Sequence, residues 1–229
     1  MVRIADAYHK LGEEEGAISF YEQALQQAPN DPFALLGLGN IYYARHDENR
    51  ALDCFERVLN QKHHNVVVMT MVGNIYRRRK EFDRAMEHYK MALRSEPENN
   101  FALFGMGDCY RGKRDMEQAV FWWDKILEHE PENQALWTRV GDALVSLGQM
   151  DRAAEHYEAS LKNGHDLYAL LGLARIEHKS GNLDRAMELC RQALAVDEDN
   201  GRVLEALALI HEDAGDHAAA EAARARISQ

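Results

Sequence analysis

The stretch FDRAMEHY at 82–89 is written almost again as MDRAAEHY at 150–157 and as LDRAMELC at 183–190. Its acidic residues, Asp83, Asp151 and Asp184, are separated by 68 residues (83 to 151) and then 33 (151 to 184). The first gap is twice 34 (2 × 34 = 68), so the phrase marks a unit of 34 residues, once shortened by one. Two columns of small residues extend this register over the whole chain. One runs Ala5, Gly39, Gly73, Gly107, Gly141, Ala174 and Ala208. The other runs Ala17, Ala51, Ala85, Ala119, Ala153, Ala186 and Ala220. A period of this length implies a stack of repeated supersecondary units.

Each unit reads as two helices. Leu103, Met106, Gly107 and Tyr110 share one helical face, and Ala119, Trp123, Ile126 and Leu127 share another. Polar or Gly-containing turns such as SLGQ (146–149) separate them. Pro29, Pro97 and Pro131 end second helices, because proline cannot continue a helix interior. Small residues allow close backbone approach. The bulky column Tyr21, Phe55, Tyr89, Trp123 and Tyr157 is expected to fill the space between successive units.

The segments LFGMGDCY (103–110) and WTRVGDAL (137–144), with ALDCF (51–55) and AMEHY (85–89), resemble the tetratricopeptide repeat family. The resemblance covers essentially the whole chain. It implies an all-α, right-handed superhelical solenoid of seven helix-turn-helix repeats. Their bounds are approximately 1–31, 32–65, 66–99, 100–133, 134–166, 167–200 and 201–229, making a single domain over 1–229. It also implies that first helices line a concave groove that holds peptides or partner proteins.

The chain departs from the family pattern in places. His63, His165 and Glu198 stand where other units carry proline, and Asn163 with Gly164 offers a left-handed helix stop instead. The aromatic column ends at Cys190 and then Arg224, as expected of a polar terminal cap. Met1 falls inside the first helix of its unit, which suggests either trimming from a longer protein, the favoured reading, or a very short native start.

The net charge of −11 over 229 residues argues against a nucleic-acid partner, since phosphate binding needs a cationic surface. No apolar run suits membrane insertion. Cys54, Cys109 and Cys190 lack CxxC spacing and fit buried free thiols in a reducing, cytoplasmic setting. The eleven histidines form no HExxH or convincing i,i+4 cluster, and His88 and His156 merely occupy equivalent slots. No phosphate-cradling or nucleophile motif appears. The expectation is a non-enzyme with no metal, cofactor or catalytic residue.

The groove face implied by the resemblance carries Phe33, Leu36, Asn40 and Tyr43, then Val67, Asn74 and Arg77, then Phe101, Phe104, Asp108 and Arg111, then Arg139 and Arg175. Its apolar members, with Met71, form a patch of the kind that marks interaction sites. Arg77, Arg78, Arg111, Arg139, Arg175 and Lys179 form a basic stripe in an acidic protein. These arginines either meet acids of a ligand or pair with Asp108 and Asp142. The column Asn40, Asn74, Asp108 and Asp142 either bonds a peptide backbone or holds water. The family's carboxylate clamp is disfavoured: its slots give Thr70, Asn74, Gly105, Ala135 and Arg139, of which only Asn74 and Arg139 fit. The function expected is a scaffold gripping a partner segment that combines apolar and acidic residues. Self-assembly as a homo-oligomer, or service as the recruiting arm of a larger enzyme, are the alternatives.

Overall fold

The computed structural model describes residues 1–61 and 65–227; His63 lies outside them. Fourteen helices follow in pairs among these residues, with no strand. They are α1 (Val2–Lys10) and α2 (Glu14–Gln27), α3 (Pro32–Ala44) and α4 (Glu48–Leu59), α5 (Val66–Arg78) and α6 (Phe82–Ser95), then α7 (Asn100–Gly112) and α8 (Met116–Leu127). Next come α9 (Gln134–Ser146) and α10 (Met150–Lys162), α11 (Leu167–Lys179) and α12 (Leu183–Val196), and α13 (Gly201–Asp213) and α14 (His217–Ile227). The helices gather into two compact units, Met1–Lys113 and Arg114–Gln229.

Local chemistry sets the helix ends. First helices start behind a recurrent Asx cap: Asp31, Asn65, Asn99, Asn133, Asp166 and Asn200 each accept a backbone N–H of the first turn. Such a cap stabilises a helix by about 1 kcal/mol. Second helices stop at Gln27, Ser95 and Leu127, just ahead of Pro29, Pro97 and Pro131. Gly164 provides the expected left-handed stop, at φ 133°. The turn inside every pair places one residue at positive φ: Gly12, His46, Lys80, Arg114, Gly148, Gly181 and Gly215. Three of these are not glycine and carry the steric cost of that conformation.

Both small columns are buried throughout, because bulky side chains lie against them. In the first unit, a Cβ added at Gly73 would stand 2.6 Å from the Tyr89 ring, and one at Gly105 2.3 Å from its Cζ. The ring is therefore held between the first helix of its own repeat and that of the next. Its hydroxyl donates to Asn74 Oδ1 at 2.8 Å, and the side chain is fully buried. The same arrangement recurs in the second unit, where Tyr157 lies between Gly141 and Gly172 and donates to Asp142 at 2.7 Å. Tyr21 meets Gly37 and donates to Asp6 at 2.6 Å.

The alternation follows a two-repeat period. FALLGLG (33–39), FALFGMG (101–107) and YALLGLA (168–174) recur in every second repeat, and their central glycines each face a tyrosine. In the intervening repeats Met71 and Arg139 stand at the position of Gly37, opposite Phe55 and Trp123 in register. Arg139 lays its guanidinium over the Trp123 ring, 5.6 Å from its centroid.

The shortened junction, one residue short of 34, has its own solution. The Asp166 carboxylate caps α11 through Oδ1, and its Oδ2 accepts from Ser160 (2.7 Å) and from Thr138. Both hydroxyl residues are buried, and this oxygen joins the Gln134 carbonyl as an acceptor for them. At the last position of the bulky column, Arg224 is exposed and pairs with Glu212 at 2.6 Å.

Two substitutions test this account. Gly105→Ala forces a methyl against a ring that its hydroxyl bond holds in place, so stability should fall by about 1–3 kcal/mol. An unchanged denaturation midpoint would show that the ring yields freely. Lys80→Gly relieves a left-handed cost of about 1–2 kcal/mol, less a glycine entropy penalty of about 0.5–1. A net gain of roughly 0.5–1 kcal/mol should appear in urea titration, and a loss would contradict the strained turn.

Candidate functional site

The capped first turns of α3, α5 and α7 orient the candidate apolar column. Asp31 Oδ1 accepts from Phe33 N and Ala34 N, both at 2.9 Å. Asn65 accepts from Val68 N at 3.1 Å, and Asn99 from Ala102 N at 3.0 Å. With the turn fixed, Ala34 and Leu35 point into the core while Phe33 is 70% exposed. Val67 and Phe101 occupy the same place in their helices, exposed by 60% and 76%. One turn later Leu36, Met71 and Phe104 are half-buried. Tyr43 is half-buried too, tilted against Phe55 and covered by the Arg78 guanidinium at 4.8 Å.

The polar column is partly committed to the fold. Asn40 is exposed. Asn74 Oδ1 receives the Tyr89 hydroxyl, and Asp142 the Tyr157 hydroxyl. The Asp108 side chain is only 5% exposed. A carboxylate that far from water needs cationic partners. Arg77 supplies one by a short ion pair and Arg111 another at 3.0 Å. Of the two roles weighed for these arginines, pairing with Asp108 is the one seen in the first unit. Arg78 pairs with Glu48 at 2.7 Å.

In the second unit Arg139 covers Trp123, whereas Arg175 on α11 is exposed. No ion pair or hydrogen bond holds Arg175, Lys179 or Arg202 among the described residues. Arg202 is the member that sequence reasoning missed. It occupies the column of Phe33, Val67, Phe101 and Tyr168, so carrying that column one repeat further would have found it.

The residues available for other chemistry are few. Cys54, Cys109 and Cys190 are free and buried, and burial pushes their thiols up to about 11, 12 and 11. Among the described residues no group of three or more His, Cys, Asp or Glu is arranged to hold a metal. No helix among them is long and apolar enough to cross a membrane.

Comparison with known proteins agrees with this architecture. A family model described as tetratricopeptide repeat matches residues 70–134, 122–166 and 138–200, and a second, described as TPR repeat, matches 5–45. No curated protein matches the sequence. Among solved structures, the C-terminal part of a TPR repeat-containing protein from Cytophaga hutchinsonii superposes with a TM-score of 0.86 at 16% identity, over 99% of this chain and 94% of that one. YrrB, described as a TPR protein with an unusual peptide-binding site, gives 0.68 at 19% identity, over 81% and 96%. A structure of MamA gives 0.65 at 18% identity, over 71% and 89%. At these identities the likeness is one of fold.

His88 and His156, equivalent in register, have opposite environments. Burial lowers the His88 pKa; its Nδ1 is buried without a hydrogen-bond partner, and its ring stacks on Tyr76. Burial also opposes charge on His156, but both its ring nitrogens face acceptors: Asp124 Oδ1 at 3.1 Å and the Arg152 carbonyl at 2.8 Å. The net shift is upward. A lowered folded pKa contributes stability above the unfolded value of 6.5 that is lost as pH falls through the folded pKa; a raised one contributes below 6.5 and is lost as pH rises through the folded pKa. Acidifying from about pH 7.5 to about pH 5 should therefore cost His88→Phe less stability than wild type, and His156→Gln more. Equal slopes for all three proteins would contradict these environments.

Proposed function

The chain belongs to the tetratricopeptide repeat family, and from that premise we propose that it is a protein-interaction scaffold, working as one domain over 1–229, that grips a segment of a partner protein on its first helices. The observation that carries this reading is the exposed column Phe33, Val67 and Phe101, flanked by Leu36, Met71 and Phe104. Large apolar side chains repeated at one register on neighbouring helices mark a surface built to be covered. The peptide-binding site ascribed to YrrB gives the reading a precedent on the same fold.

Apolar contacts supply most of the affinity in this reading. Each aromatic anchor contributes roughly 1.5–3 kcal/mol when covered. Arg77 and Arg111, already paired with Asp108, contribute orientation more than attraction. Asn40 and Tyr43 border the column, and Asn74 and Asp108 hold its floor. Three buried free thiols fit a reducing, cytoplasmic workplace. A second reading, assembly of copies through α1, is favoured by the exposure of Ile4 and Leu11.

Peptides selected from a randomised displayed library test the first reading. Their affinity should fall at least about tenfold on Phe33→Ala/Phe101→Ala, from the lost apolar burial, while the helical spectrum persists. Recovery of no binding peptide, or indifference to the double substitution, would refute it. Light scattering on the same samples decides the second: a monomer at every concentration removes it.

A further inference from the structure

The second unit holds a cavity of about 420 Å³ on the side of α9, α11 and α13. Its apolar surface comes from Val145, Leu171, Ile176 and the 58%-exposed ring of Tyr168. Arg175 and Lys179 from α11 and Arg202 from α13 line the same space. None of these three cations makes an ion pair or hydrogen bond among the described residues, although the chain carries 38 acidic against 27 basic residues. Other basic side chains of both units lie against carboxylates, as with Arg45 and Glu14, Arg78 and Glu48, and Arg152 and Asp124. The two other charged groups of the cavity are engaged: Asp142 receives the Tyr157 hydroxyl, and His178 meets Asp213 at 2.7 Å. What is left is a pocket with an apolar lining, where three cations that make no ion pair outnumber the single carboxylate, Asp142.

We propose that this pocket seats an apolar side chain of a partner protein's segment, with a neighbouring Asp or Glu of that segment drawn to Arg175, Lys179 and Arg202. The inference rests on the scaffold reading and deepens it by assigning the acidic part of the ligand to the second unit. Size and charge together carry it. A few hundred Å³ with an apolar lining is the scale of a specific ligand pocket. Unpaired cations beside it select a carboxylate and speed its approach. A nucleic-acid strand fits less well, because the acidic remainder of the chain repels a phosphate backbone.

The test uses the library-selected peptides, synthesised with amidated C-termini and measured by fluorescence anisotropy at low and high salt. Two triple variants are compared: Arg175→Gln/Lys179→Gln/Arg202→Gln, and Lys90→Gln/Arg94→Gln/Lys162→Gln, which removes the same charge from exposed positions on second helices. Selected peptides should pair Asp or Glu with Leu, Ile, Met or Phe. Their affinity should fall about tenfold on the first triple variant, with a flattened salt dependence, and little on the second. Peptides that lack acidic residues, or that weaken equally on both variants, overturn the assignment and leave the scaffold reading standing. Recovery of no peptide overturns both. A labelled single-stranded DNA that binds wild type and is lost on the first triple variant replaces the peptide with a nucleic acid.

Discussion

A buried aromatic ring gripped by bare backbone on either side organises this molecule. Tyr89 is the clearest case: Gly73 of its own repeat and Gly105 of the next leave room for the ring, and Asn74 holds its hydroxyl. Removing water from such a ring is worth a few kcal/mol, and the fit depends on the absence of a Cβ at both glycines. The hydroxyl bond adds a constraint that phenylalanine would lack. It fixes the rotamer, and it brings the inner edge of the ring to the same helix face that carries the candidate site. Fold and site thus share residues.

The sharing explains why some of the site was legible in the sequence and some was not. Helix pairing, the small columns and the bulky column follow from spacing alone, because burial at a fixed register leaves a period. Exposure of Phe33, Val67 and Phe101 follows equally from their offset to the buried Leu35, Leu103 and their neighbours. Side-chain pairing leaves no such trace. Asn74 and Asp142 read as a possible ladder for a peptide backbone, yet tyrosine hydroxyls fifteen residues further along reach them. Asp108 reads the same way, but carries Arg77 and Arg111. Only the three-dimensional path of long side chains distinguishes a basic residue that neutralises the fold from one left over.

That distinction divides the basic stripe. A formal inventory sets Arg77, Arg78, Arg111, Arg139, Arg175 and Lys179 alongside one another. In the structure the first three have carboxylate partners and Arg139 lies on an indole. The two members of that stripe left without an ion pair or ring partner, Arg175 and Lys179, line the cavity on α9, α11 and α13, joined there by Arg202. A like-charged cluster is tolerated at an exposed site because water screens it, and it gains energy only when an anion arrives.

The two-repeat alternation has a consequence for how such a chain could be lengthened or shortened. Tyrosine-bearing second helices are followed by glycine-bearing first helices, and Phe55 and Trp123 by Met71 and Arg139 in register. Deleting 32–65 alone would set Tyr21 against Met71 at a place where even a methyl would crowd it. Deleting 32–99 would bring Gly105 into the place of Gly37 and restore the fit. The interchangeable part is a double repeat of 68 residues (34 + 34), so recombination within this array preserves its joints only in even steps.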